Sequence, residues 1–301
     1  MAVTLREVEK YDFDQIYQLF IEVYGKQPFD GFKKAFFDHD LLLGYCLIDT
    51  SIETQPMVGY FGCFTYYRTI DDIPVKFYNS HTWIVKEAYR KQSLKLLMPY
   101  MRLKDGIVTN FSANGKVAQI LEQLKFSKLG IVNTIIKPSY SMTSFLAQVK
   151  IKSIPIQSAI TKWHEPYIGL SLNLKLPNQE KTLELVLKAV DKKPAWVKQI
   201  NNLARSLTTK PLVTKSYFLY KVHYTNSPEM LIENVDSLIH YLFFKKKVGG
   251  LVLPESFIEV LPSDRIDTQY KDTIYVKANQ DGIPMIDYLY SEVFYLNIGD
   301  K

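Results

Sequence analysis

Apolar and polar residues alternate from Val3 to Val8, which predicts a strand. From Asp12 the period changes: Phe13, Ile16, Leu19, Phe20 and Val23 recur at helical spacing, and Gly25 supplies the stop. A shorter helix is predicted over Gly31 to Asp38, where Phe32, Ala35 and Phe36 share a face. Three aromatic-rich apolar runs follow, Leu41 to Asp49, Met57 to Thr69 and Val75 to Val85, joined by short polar connectors. That spacing predicts an antiparallel meander. Next comes a helix entered just after Arg90 and closed by Gly106, with Pro99 expected to kink it or end it early. A buried strand over Ile107 to Phe111, a helix over Gly115 to Lys125 and a strand over Leu129 to Ile136 complete this half. An antiparallel front followed by a β-α-β back is one of few layouts that short, uncrossed connections permit.

The rest of the chain echoes this pattern. Ser139 to Lys152 predicts a helix, and the stretch holding Pro155, Pro166 and Pro177 reads as an irregular connection between lobes. "LELVLKAVDKKPAWVKQINNLARSL" then repeats the strand-to-helix step of "VTLREVEKYDFDQIYQLFIEVYG". "LIHYLFFKKKVGGLVLPES" parallels "LLMPYMRLKDGIVTNFSAN": apolar helix, basic end, glycine stop, buried strand. A length of 301 residues fits two domains, here 1–138 and 139–301, the second a connection followed by a degenerate copy of the first.

Composition narrows the function. With 47% hydrophobic and 23% charged residues, the chain has the makings of a globular core. Lys and Arg exceed Asp and Glu by 37 to 31 without a dense basic block, which suits a small anionic ligand and is too diffuse for nucleic acid. Cys46 and Cys63 lie inside apolar runs and read as packed thiols in a reducing compartment. No run approaches the roughly 18 apolar residues a membrane helix needs, and the start lacks a signal-peptide core, so a cytoplasmic location is expected.

Two segments carry a family resemblance. "HTWIVKEAYRKQSLKLL" resembles the fourth strand, turn and third helix of the GNAT acyl-CoA N-acyltransferases, in which an Arg/Gln-x-x-Gly-x-Gly/Ala loop opens the helix. "NGKVAQILEQLKFSKLG" is similar to their Asn-x-x-Ala helix and Leu-Gly-Phe step, and the match spans Thr4 to about Lys137. The resemblance implies an α/β GNAT fold: a mixed, mostly antiparallel sheet flanked by helices, here duplicated with a shortened second lobe. It implies an acyl-CoA co-substrate, acetyl-CoA in the simplest case, at Arg90, Lys91, Gln92, Ser93, Leu94, Lys95 and near Asn114. Consecutive N–H groups at a helix N-terminus suit a diphosphate, and glycines let it come close. By the same resemblance the backbone at Ile84 or Val85 polarises the acyl carbonyl, and His81 accepts the proton of a small-molecule amine, an amino sugar among the acceptors.

This sequence also departs from the family. Ser93 stands where Gly is usual, Lys95 where Gly or Ala is usual, Leu121 where many members carry a proton-donating Tyr, and Lys125 at the Leu-Gly-Phe glycine. A non-catalytic GNAT-fold binding module and a FemABX-like aminoacyltransferase are therefore the competing readings, and His81 has a structural alternative as a hydrogen-bonded core residue. Trp163, His164 and Glu165 form a polar aromatic triplet in the connection. Asp38, His39 and Asp40 are consecutive and cannot readily converge on one ion, so no metal is expected. Lys245 to Lys247 close a predicted helix, where cations complement its dipole. Tyr60, Tyr66, Tyr67 and Tyr78 either line an acceptor cleft or cover half-buried sheet.

Overall fold

The computed structural model describes residues 2–25, 27–28, 30–38, 42–70, 73–136, 142–164, 170–190, 218–246, 248–254 and 266–278. They divide into two compact units: Met1–Leu129 joined by Thr273–Ile298, and Gly130–Asp272 with Gly299–Lys301.

Unit 1 follows the predicted order closely. Strand β1 (Val3–Glu7) leads into helices α1 (Phe13–Tyr24) and α2 (Asp30–Asp38), then strands β2 (Gly44–Asp49), β3 (Met57–Ile70) and β4 (Ile73–Val85). A 3-10 turn (Glu87–Gln92) precedes α3 (Ser93–Met101), followed by β5 (Ile107–Asn110), α4 (Gly115–Gln123) and β6 (Ser127–Ile136), whose later residues belong to unit 2. Helix α1 stops where expected, because Gly25 adopts φ +67 and its N–H bonds the carbonyl of Ile21 at 2.8 Å. Its start is fixed by charge: the guanidinium of Arg6 donates twice to the buried carboxylate of Asp12, both at 2.7 Å, and Asp12 also accepts from the N–H of Glu9. Pro99 lies in the last turn of α3, which ends two residues later, short of Gly106. Strands β1 to β4 pair antiparallel in sequence order, whereas β4 and β5 are parallel. The far side of β5 receives a strand from much later in the chain, β12 (Ile266–Lys277), whose Tyr275 pairs with Asn110.

Unit 2 holds α5 (Met142–Gln148), β7 (Lys152–Ile154), α6 (Ala159–His164), β8 (Leu170–Lys175), β9 (Thr182–Val190), β10 (Phe218–Thr225), α7 (Pro228–Glu233), α8 (Val235–Lys246) and β11 (Val248–Pro254). Its strands run in the order β6, β11, β10, β9, β8, β7, with β10 and β11 parallel. Leu172, Leu174, Leu185, Leu187, Leu238, Leu242 and Leu251 fill the core. Two sequence readings are corrected here. The proline-bearing connection is structured, since β7 pairs with β8 and β8 with β9, and the alternating Leu170, Leu172 and Leu174 turn one face to the core, Leu172 and Leu174 buried and Leu170 packed against them. Gly250 is not a helix stop but part of β11, where a Cβ would lie 3.1 Å from Leu219 and 3.2 Å from the carbonyl of Ile136. The helix predicted after Pro194 lies outside the described residues. Among the described residues no helix is long and apolar enough to cross a membrane.

Burial in unit 2 makes a pH prediction. His223 lies in a bulge of β10, and desolvation, then the charges of Lys221, Lys188 and His164, push its pKa well below the usual histidine value. The folded state thus holds His223 neutral while the unfolded chain protonates it below about pH 6.5. Stability is expected to be full above that pH and to fall as pH drops through it, by at most about 1.4 kcal/mol per pH unit for this one proton. Urea titrations at pH 7.5 and 5.5 check this; His223→Gln should flatten the difference.

Candidate functional site

The site grows from an irregularity in β4. Its register with β3 shifts between Phe61 and Gly62: Phe61 faces Trp83 and Gly62 faces His81, so Thr82 is the extra residue of a bulge. Thr82 has φ +38, a left-handed value that a β-branched residue adopts only when its surroundings impose it, at a cost of about 1–3 kcal/mol. The bulge sends its neighbours to different surroundings. His81, 3% exposed, stacks on Phe64 with centroids 4.0 Å apart and meets Phe32 and Tyr60 edge-on. Trp83 meets Phe61, in the core that also holds Leu96, Tyr100 and Leu121 from α3 and α4. Gly62 is the reason the imidazole fits, because a Cβ there would lie 2.1 Å from its Cε1.

Beyond the bulge β4 runs on without β5. Their parallel pairing is confined to Phe77 with Ile107, Tyr78 with Val108 and Asn79 with Thr109, and β5 ends at Asn110 while β4 continues to Val85, which leaves a fork in the ladder. Buried polar side chains gather at the fork. Asn79 Nδ2 donates to Thr109 Oγ1 at 3.1 Å, Ser80 Oγ to the carbonyl of Thr109 at 3.2 Å, and Asn110 Nδ2 to Ser80 Oγ at 2.9 Å and to the Ser80 carbonyl at 3.3 Å. From α3, the buried Tyr100 hydroxyl sits 2.7 Å from the carbonyl of Tyr78 and 3.1 Å from that of Thr109. Every member has a partner, as buried polar groups require.

The end of β4 passes into the basic turn. Ile84 and Val85 are buried, and Lys86 pairs with Glu22 at 2.6 Å. Residues 87–92 form the 3-10 turn, and the N–H of Ser93 bonds the carbonyl of Arg90 as α3 begins. Tyr89 donates to the carboxylate of Asp49, pinning the turn to β2; hydrogen bonds from Ser51 and then Tyr89 hold that carboxyl below its usual range. Arg90, paired with Glu87 at 3.0 Å, is exposed together with Lys91, Leu94 and Lys95, while Gln92 and Ser93 are half-buried. Three cationic side chains thus stand around the start of a nine-residue helix.

Solved structures share this architecture. A GCN5-related N-acetyltransferase from Anabaena variabilis superposes with a TM-score of 0.55 at 8% identity, and one from Kribbella flavida with 0.53 at 7%. In both cases 92% of this chain and 72% of the other are covered. The chain has the GNAT fold. An Enterococcus faecalis protein described as a probable N-acyltransferase gives 0.57 at 7% identity over the same shares. No family model matches the sequence, and no curated protein does.

Within this GNAT fold the remaining predicted residues take definite places. Asn114 caps α4, its Oδ1 accepting from the N–H of Val117 at 3.4 Å. Leu121 is buried in the α3 and α4 core. Lys125, which replaces the glycine, keeps the conformation glycine would favour: φ is +62, and the N–H groups of Lys125 and Phe126 close α4 on the carbonyls of Glu122 and Leu121, both at 3.0 Å. Tyr60 is buried, Tyr66 stacks on Phe77, Tyr67 is exposed and Tyr78 donates to Asp105 at 2.7 Å. Cys46 and Cys63 are buried and unbridged, and burial pushes the Cys46 thiol up to about 12. Asp38 pairs with Lys34, whereas His39 and Asp40 lie outside the described residues. His164 Nδ1 bonds the carbonyl of Ile160 at 2.8 Å; Glu165 and Lys247, with the side chains of Trp163 and Lys246, lie outside the described residues.

Sequence reasoning missed the fork residues Asn79, Ser80, Thr109 and Asn110. Their signal was available as polar pairs, Asn-Ser and Thr-Asn, inside two apolar strands. It also missed Tyr275, whose hydroxyl donates to Glu122 on α4 at 2.9 Å.

Proposed function

We propose that this protein is an acyl-CoA-dependent N-acyltransferase that moves an acyl group, acetyl in the simplest case, from CoA to a small amine, with amino sugars as one acceptor class. The observation that carries the reading is the end of the β4–β5 pairing after Asn79, on a strand that is bulged at Thr82 and continues unpaired with β5 into the basic turn. The GNAT fold supports it, as do two proteins that share the fold and are named as N-acetyltransferases.

In this reading Arg90, Lys91 and Lys95, with the start of α3, hold the CoA diphosphate through charge and helix dipole. Gln92, Ser93 and Leu94 bring their backbone to it, and Asn114 borders it from the capped end of α4. The thioester arm enters the fork, where backbone N–H groups at Ile84 or Val85 polarise the acyl carbonyl as charge develops on its oxygen. His81, one residue before the bulge, takes the ammonium proton so that the free amine can attack. The second unit is a degenerate copy of the first, a view supported by its own parallel pair, β10 and β11, joined through helices as β4 and β5 are.

A second reading, a non-catalytic binding module, is favoured by one observation: Leu121, where the resemblance places a proton-donating Tyr, is an apolar core residue. Thermal unfolding with acetyl-CoA separates either from a protein that does not bind CoA, since ligand at 100 times Kd should add about 2.7 kcal/mol. Stabilisation together with turnover of an amine panel is expected. Stabilisation without turnover on any amine would leave the binding module, and no stabilisation at millimolar ligand would remove the acyl-CoA reading.

A further inference from the structure

We propose that Tyr89 and Asp49 are positioning residues for the diphosphate: their hydrogen bond sets how well the basic turn receives it, although neither touches the ligand. The proposal rests on the acyl-CoA reading, which places the diphosphate at residues 90–95.

The turn has little support of its own. No side chain caps the 3-10 segment at Lys86 or helix α3 at Gln92, and 3-10 hydrogen bonds are poorly aligned. Arg90 pairs with Glu87 inside the turn, both of them exposed, and Lys86 just before it pairs with Glu22 in a contact open to water. Exposed pairs of this kind contribute little. Among the described residues, the Tyr89 hydroxyl makes the only side-chain hydrogen bond from residues 87–92 to another element. Its ring packs against the core that holds Leu96 and Leu97. The acceptor is held in place before the turn arrives. Asp49 ends β2, is 1% exposed, pairs with Val3 of β1 and bonds the carbonyl of Pro56 through its N–H at 3.1 Å. Its Oδ1 takes the N–H and hydroxyl of Ser51 at 2.8 and 2.5 Å, which leaves Oδ2 for Tyr89. The bonds from Ser51 and then Tyr89 keep this carboxyl below its usual range, so the acceptor is charged at neutral pH and the bond is of the stronger, charge-assisted kind. A carboxylate would repel a diphosphate at contact, whereas here it anchors the residue next to Arg90 and so aims the basic turn.

Tyr89→Phe removes one oxygen and keeps the packed ring. It is expected to weaken CoA binding roughly three- to thirtyfold, no more than one hydrogen bond to a charged group can transmit, with an equal loss for the nucleotide diphosphate portion of CoA alone. Isothermal titration separates positioning from stability: a partly unfolded sample lowers the apparent number of sites, whereas a misplaced turn raises Kd. In turnover the loss should fall on KM for the acyl-CoA more than on kcat. Asp49→Ala should lose about as much affinity, and the double variant no more than either single change, because all three remove the same bond. Asp49→Asn, which gives Tyr89 a neutral partner, should recover part of that loss, and it serves in the cycle if the alanine variant does not fold. An unchanged Kd in Tyr89→Phe would overturn the proposal. Losses that add in the double variant would do so too, by making Tyr89 a direct ligand contact, as would a loss confined to intact CoA, by moving the effect to the pantetheine arm. Failure of the natural chain itself to bind CoA has another meaning, since it removes the acyl-CoA reading and this proposal with it.

Discussion

Gly62→Ala is expected to destabilise unit 1 by about 1–3 kcal/mol through overpacking, and His81→Ala by about 2–4 kcal/mol through the cavity it leaves. Combined, they should cost clearly less than their sum. The added methyl would lie 2.1 Å from His81 Cε1, 2.5 Å from Nδ1 and 2.6 Å from Nε2, so the ring must move. It has little room, being stacked on Phe64 and edged by Phe32 and Tyr60. With the imidazole gone the methyl enters the vacated space, and a double-mutant cycle by urea unfolding should give a coupling of about 1–3 kcal/mol. Strict additivity would mean that the sheet absorbs the methyl by shifting at the β4 bulge. The catalytic proposal for His81 needs a different variant, one that keeps the volume. His81→Gln should lower turnover about a hundredfold or more if the imidazole takes the proton, beyond any change in the folded fraction. Turnover that follows the folded fraction alone would reduce His81 to packing.

How far the fold and this site could be read from the chain depends on the range of the interaction. The strand and helix periods of β1, α1, β3 and α4 are local, and their elements stand within a few residues of expectation. The structured stretch of unit 2 was hidden because three prolines suggested a loop, although Leu170, Leu172 and Leu174 carried the alternation of a strand. The fork is different in kind. Its bonds join residues about thirty positions apart, and which polar residue in β4 faces which in β5 depends on where a parallel register stops. Thr82 was out of reach for a further reason, since propensity argues against a left-handed β-branched residue and only the surrounding sheet holds it there. Lys125 shows the converse. A substitution that looked like a loss of the family's glycine keeps the left-handed turn and both capping hydrogen bonds.

Asp272→Ala is expected to be among the most damaging single changes in unit 2, at about 3–5 kcal/mol, because it strips a carboxylate from a buried cation. Lys221 is fully buried, and its Nζ lies 2.5 Å from Asp272 Oδ2, an oxygen that also accepts from Asn133 Nδ2 at 2.8 Å. Directly across the ladder, the Cα partner of Lys221 is Lys188, 1% exposed, so a second positive charge adds repulsion that Asp272 offsets. Hydrogen exchange of the β9 and β10 amides reads the loss locally, and added salt should rescue little, since screening scarcely reaches a buried pair. Replacing both partners with apolar residues, as in Lys221→Met with Asp272→Leu, should cost far less than Asp272→Ala alone, because the burial penalty leaves with the charges. If the double change proves as harmful as the single one, the pair contributes through its hydrogen bonds to neighbours more than through neutralisation. Burial turns these two lysines from solvated charges into an electrostatic constraint on the fold.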